Sequence, residues 1–134
     1  MKKLICILLI IITFFGAYMV ITDKSIDILP YESDIYTDEE INDAITEAKS
    51  YFKREFEGCK LLTITYLGDD SIENHREFAD RRGADDVLVL ESSFYVYPNG
   101  GDGSLNQNDI YTGFKWIMVR DGNGKWQHAD HGYG

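Results

Sequence analysis

Apolar residues recur at three- and four-residue spacing in one part of the chain and at alternate positions in others, and each change of period marks a new element. Ile41, Ala44, Ile45, Ala48, Phe52 and Phe56 form one stripe between charged residues. That spacing predicts an amphipathic helix of about five turns with one face on a core. Thr37 and Glu40 make a capping box at its start, Asp38, Glu39 and Glu40 suit its positive end, and Gly58 stops it. Leu61 to Leu67 then alternate. The period of two predicts a strand with Leu62, Ile64 and Tyr66 on one face and Leu61, Thr63, Thr65 and Leu67 on the other.

Gly68 and Asp69 turn the chain, and Asp70 to Glu73 reads as a second capping box. It opens a short helix carrying Ile72, His75, Phe78 and Ala79, which Gly83 ends after Arg81 and Arg82. Val87 to Leu90 is apolar at every position, the mark of a central strand covered on both faces, and alternation continues through Phe94 and Val96 to Pro98. Phe114 to Val119 predicts a third strand. Asp121-Gly122-Asn123-Gly124 predicts a hairpin turn, with Asn-Gly taking positive φ, and Lys125 to Asp130 a fourth strand. The fold class expected is α+β: an N-terminal amphipathic helix on a small antiparallel sheet of about four strands, with a second short helix, over residues 37–134.

Before that domain the pattern changes. Leu4 to Ile21 is apolar apart from Thr13, and Lys2 and Lys3 precede it. Its length lies at the border between a signal-peptide core and a membrane span. A cut after Ala17 would put Phe15 where a small residue is needed. The expectation is therefore an uncleaved transmembrane signal anchor over residues 1–21, with a cleaved signal peptide and a secreted product as the alternative. The lysines would stay cytoplasmic, leaving a single-pass chain in the cell membrane with its C-terminal domain extracytoplasmic. Thr22 to Tyr36, polar and interrupted by Pro30, reads as a linker over 22–36.

Charge narrows the partners. The net charge is -10, from 23 acidic and 13 basic residues. Such a surface repels phosphate backbones, so no nucleic acid is expected. Cys6 and Cys59 are the only cysteines. With residues 1–21 in a membrane, Cys59 has no intramolecular partner and reads as a buried, inert thiol.

Two stretches carry candidate chemistry. Asn99 to Asp109 is rich in oxygen ligands, with Asp102, Ser104, Asn106 and Asn108 at alternate positions. It departs from a calcium-binding helical loop at Gln107, where Gly is needed, and at Gly113, where a bidentate Glu is needed. The tail holds Trp126, His128, Asp130, His131 and Tyr133. A regular strand would put Trp126, His128 and Asp130 on one face. Two histidines and a carboxylate suit a transition metal or an acid/base pair. No serine sits in a nucleophile elbow, so no catalytic set is assembled and no cofactor is called for. Phe94, Tyr95, Tyr97, Tyr111, Phe114, Trp116 and Trp126 concentrate aromatic surface near both stretches, which suits a glycan or protein partner.

Over nearly the whole of this domain the chain resembles a group of small uncharacterised exported proteins of Gram-positive bacteria. The resemblance runs through Asp38 to Phe56 with Gly58-Cys59, Gly83-Ala84-Asp85, Gly100 to Asn106, Trp116 to Arg120, Trp126 and Asp130-His131-Gly132-Tyr133. It implies an exported location and singles out the loop and the tail as a linked pair. It implies no activity. The function expected is a membrane-anchored, non-catalytic binding or structural module, with an envelope component or a protein as partner. The alternative is a metal-dependent protein or hydrolase using Asp102, His128, Asp130 and His131.

Overall fold

The predicted helix forms as α1, Asp38–Glu55, and its capping box is complete: the Glu40 amide donates to Thr37 Oγ1 at 3.2 Å and the Thr37 amide to Glu40 Oε1 at 3.0 Å. Its stripe of Ile41, Ala44, Ile45, Ala48 and Phe52 is buried. The computed structural model describes residues 26–133. Around α1 lie β1 (Asp27–Ile28), β2 (Cys59–Tyr66), α2 (Asp70–Asn74), α3 (Arg76–Arg82), β3 (Asp86–Val96), β4 (Asp109–Arg120) and β5 (Gln127–Gly132).

The sheet has five strands in the order β1-β2-β3-β4-β5, with β1 parallel to β2 and the other pairs antiparallel. It is therefore α+β as expected, but mixed and one strand larger than the sequence pattern indicates. The added strand comes from the stretch read as a linker. Asp27 and Ile28 pair with Thr63 and Ile64. Ser33 Oγ donates to Asp69 Oδ1 at 2.6 Å, and the Asp34 amide donates to Asp69 Oδ2 at 2.8 Å. Tyr36 is buried, with its hydroxyl donating to the Val87 carbonyl at 2.8 Å. Residues 26–36 thus pack on the domain rather than hang from it. The expected anchor, Leu4 to Ile21, lies outside the described residues. Among the described residues no helix is long and apolar enough to cross a membrane.

Both faces of the sheet are covered, which explains the unbroken apolar run at Val87 to Leu90. Leu88 and Leu90 face α1 with Met118 and Trp116; Val87 and Val89 face the other way with Val119, Ile117 and Ala79 of α3. Burying each such side chain contributes about 1.5–3 kcal/mol.

Three local readings are corrected. In β2 a bulge at Leu62 resets the alternation, so Leu61 rather than Leu62 joins Ile64 and Tyr66 in the α1-side core. The second helix is broken in two at His75, whose Nδ1 donates to the Ser71 carbonyl at 2.7 Å. Its capping box is absent as well. The carboxylate at its N-cap, Asp69, is occupied by Ser33, Asp34 and the Tyr66 hydroxyl, and these bonds hold it below the usual carboxylate range. In the β4–β5 turn Gly122, not Asn123, takes the positive φ, of 51°, and its amide donates to Asp85 Oδ2 at 2.7 Å.

Candidate functional site

The helix α1 ends against the long loop between β3 and β4, and two glycines make that approach close. Gly58 has a φ of 73°, and a Cβ on it would stand 2.5 Å from the Gly100 Cα. A Cβ on Gly100 would stand 2.9 Å from the Gly58 carbonyl carbon and nearer still to its oxygen. The backbones are also bonded: the Tyr97 amide donates to the Gly58 carbonyl at 2.9 Å, and the Gly101 amide to the Glu57 carbonyl at 3.0 Å. The loop is thereby fixed beside the last turn of α1.

The third wall is β5. It is not a regular strand. His128 pairs with Met118 and Asp130 with Ile117, so Ala129 is an extra residue that bulges. The bulge reverses the expected facing. His128 and His131, rather than His128 and Asp130, lie toward α1. His128 stacks on Tyr51, with ring centroids 3.7 Å apart and planes 13° apart. His128 Nε2 and His131 Nδ1 are 2.9 Å apart and share a hydrogen bond. His131 also meets Phe56, Phe114 and Trp116, at 5.3, 5.7 and 5.3 Å between centroids.

Burial, and then the nearness of His131, push His128 down to about 4. Burial likewise lowers His131. Both rings are therefore neutral at physiological pH, and one ring nitrogen of each is engaged by the other.

Between these walls lies a cleft of about 650 Å³. Tyr51, Phe56, Phe114 and His131 give it aromatic surface; Glu55, Glu57 and Asp102 give it carboxylates; Cys59, Ser104 and Leu105 complete it. Asp102 accepts from the Ser104 amide at 2.9 Å and from the Ser104 hydroxyl, which hold it below the usual carboxylate range. Burial, and secondarily Asp102, raise the Cys59 thiol, so it stays protonated. A protonated thiol is a poor nucleophile.

The structure therefore joins Asp102 and His131 at one cleft, with His128 behind His131. Other candidates fall elsewhere. Asp130 is exposed, accepts from the His131 amide at 2.9 Å, and borders a separate hollow of about 260 Å³ with His75, Phe78 and Lys115. Asn106 is exposed on the loop, where its amide donates to the Tyr111 hydroxyl at 2.8 Å. Tyr133 is exposed, edge-on to Phe114 at 5.4 Å. Trp126 is buried at the other end of α1, 5.5 Å from Tyr36 and with the Arg120 guanidinium 4.4 Å over its ring.

Arg120 also pairs with Asp86 at 2.9 Å and with Glu40, so this end is held by charge. Tyr51, Glu55 and Glu57 are site residues the sequence reading passes over, and Phe56 is one it assigns to core packing. The one signal for Tyr51 was an aromatic ring at the margin of the helix stripe.

Among the described residues no group of three or more His, Cys, Asp or Glu side chains is placed to hold a metal ion. The two histidines supply a pair at most, and their facing nitrogens already bond each other. Nor, among the described residues, does a serine hydroxyl bond a histidine ring. Ser104 bonds Asp102, Ser92 accepts from Trp116 Nε1 at 2.7 Å, and Ser93 bonds Thr63 at 2.6 Å. Aromatic faces beside carboxylates instead suit a partner that presents a cation on an apolar stem. No family model matches the chain, and neither a curated protein nor a solved structure matches it.

Proposed function

We propose that the chain is a non-catalytic binding module of the cell envelope, anchored by Leu4 to Ile21 and facing outward, that engages a cationic group of an envelope component or protein through the cleft. The observation that carries this reading is the composition of the cleft. Aromatic rings line its interior and Glu55, Glu57 and Asp102 border it, while its histidines are neutral and bonded to each other. Such a surface can desolvate and hold a lysine- or arginine-like group through its ring faces and carboxylates. The resemblance to exported Gram-positive proteins and the long apolar N-terminal run agree with that location.

The test is retention of the full chain, held in neutral nanodiscs, on isolated cell-envelope material. Neutralising the cleft with Glu57→Gln and Asp102→Asn should lower retention about tenfold, as loss of charge-assisted bonds to a buried cation requires. Neutralising Asp43 and Asp80, which are exposed elsewhere, should leave it unchanged. Equal retention of all three proteins would remove the cleft from the account.

A further inference from the structure

The chain carries 13 basic residues, of which Lys2, Lys3 and Lys24 precede Ile26, and 23 acids, of which Asp23 does. Residues 26–134 therefore hold 10 basic and 22 acidic side chains. Against that excess one groove is exceptional. It lies on the far side of α1's last turns from the histidines, measures about 630 Å³, and is bordered by Lys49, Lys53 and Lys60 with no acid in its lining. Its floor is apolar, with Phe52, Phe56 and Leu61. None of the three lysines forms an ion pair among the described residues.

Ile26 lines the same groove. On the anchor reading set out above, on which this inference rests, the membrane segment ends at Ile21. Five residue steps span at most about 17 Å even when fully extended. Ile26, and the groove with it, is therefore held within about two Debye lengths of the lipid surface at ordinary ionic strength. Exposed Ile28 and Leu29 follow directly on the edge strand, and exposed Tyr97 closes the groove's other side.

We infer that this lysine-bordered groove is a membrane-docking face that rests on anionic phospholipid headgroups. The tether supplies proximity and the lysines supply orientation. The acidic cleft, beyond the end of the same helix, is then turned toward the envelope. Each lysine near an anionic surface favours the docked state about fivefold, so the three together favour it about a hundredfold. Free in solution, so acidic a domain would be repelled by that lipid; tethered, it needs only the local charge of one face.

The experiment uses the full chain carrying Cys6→Ser, Cys59→Ser and Thr46→Cys, which leaves one thiol, at exposed position 46 in the groove and outside the cleft. Flotation with neutral phosphatidylcholine vesicles at high salt checks the anchor first. Labelling at position 46 by an uncharged polymer-linked maleimide is then timed in those vesicles and in vesicles with one-third phosphatidylglycerol. The inference predicts salt-resistant flotation, labelling about tenfold slower on the anionic vesicles, and recovery of the rate with Lys49→Gln, Lys53→Gln and Lys60→Gln together. Salt-resistant flotation with equal labelling rates would overturn the docking face and leave the anchor standing. Slow labelling that follows protein density instead of lipid charge would give the groove to a second copy of the chain and overturn it too. Loss of flotation at high salt would overturn the anchor and the docking face together.

Discussion

Replacing Gly100 by alanine tests whether the loop is seated on the end of α1, because the two strains a glycine can hide are separated in this protein. Gly83 has a φ of 64° with open space where a Cβ would go. Gly83→Ala therefore meets only the left-handed backbone penalty, about 1–2 kcal/mol, less the 0.4–1 kcal/mol that alanine returns by restricting the unfolded chain. Gly100 is the converse. It has no positive φ, and its Cβ would fall on the Gly58 carbonyl, carbon at 2.9 Å. That obstacle is backbone and cannot rotate away, so Gly100→Ala should reach the upper part of the overpacking range, about 2–3 kcal/mol. Gly58→Ala combines a φ of 73° with a Cβ 2.5 Å from Gly100 Cα, and should cost about 3–4 kcal/mol. Urea unfolding of the full chain, followed by the fluorescence of buried Trp116 and Trp126, gives the three values on one scale. The order Gly83, Gly100, Gly58 is the expected result. A Gly100→Ala loss no larger than that of Gly83→Ala would refute the seating of the loop, and with it the shape of the cleft.

Trp116 is fully buried and donates to Ser92 Oγ, so Trp116→Ala should lose about 3–5 kcal/mol and Ser92→Ala about 1–3 kcal/mol through the orphaned indole N–H, both by urea unfolding. The depressed His128 makes stability fall on acidification: below the unfolded value near 6.5 the unfolded chain binds a proton the folded chain refuses until about pH 4. That loss, about 2 kcal/mol after discounting for the half-open ring, should be complete near pH 4, and His128→Phe should flatten the slope of unfolding free energy between pH 6.5 and 4. Zinc, calcium or manganese at 100 times a plausible dissociation constant would raise stability by about 2.7 kcal/mol if the tail were a metal site; thermal melts should instead be unmoved by any of the three.

The long helix was legible because period, cap and stop agree: the stripe from Ile41 to Phe52, the Thr37–Glu40 box and Gly58 all say the same thing. The central strand was legible because only a strand covered on both faces tolerates four apolar residues in a row at Val87 to Leu90. What escaped was decided by single residues without a local signature. Ala129 and Leu62 bulge, and each bulge exchanges the faces of the residues beyond it. Asp69 looks like a helix cap but binds a distant segment, residues 26–36, which packs on the domain and adds Asp27 and Ile28 to the sheet. Of the candidate site, the pairing of loop and tail is present through Asp102 and His131, while Trp126 and Asp130 point to other parts of the molecule. Phe56 reads as helix packing and Tyr51 lies outside the stripe, because nothing in a helical stripe says which of the last rings will be left beside an opening.

The claim on which the rest depends is that the cleft is where a partner sits. A photo-crosslinking amino acid at Ser104, inside it, and one at Asp80, on the exposed surface of α3, report this in the intact membrane of cells making the full chain. The account predicts a discrete cross-linked species from Ser104, diminished by Glu57→Gln with Asp102→Asn, and none from Asp80. The same species from both positions, or none from Ser104 while Asp80 yields one, would contradict it.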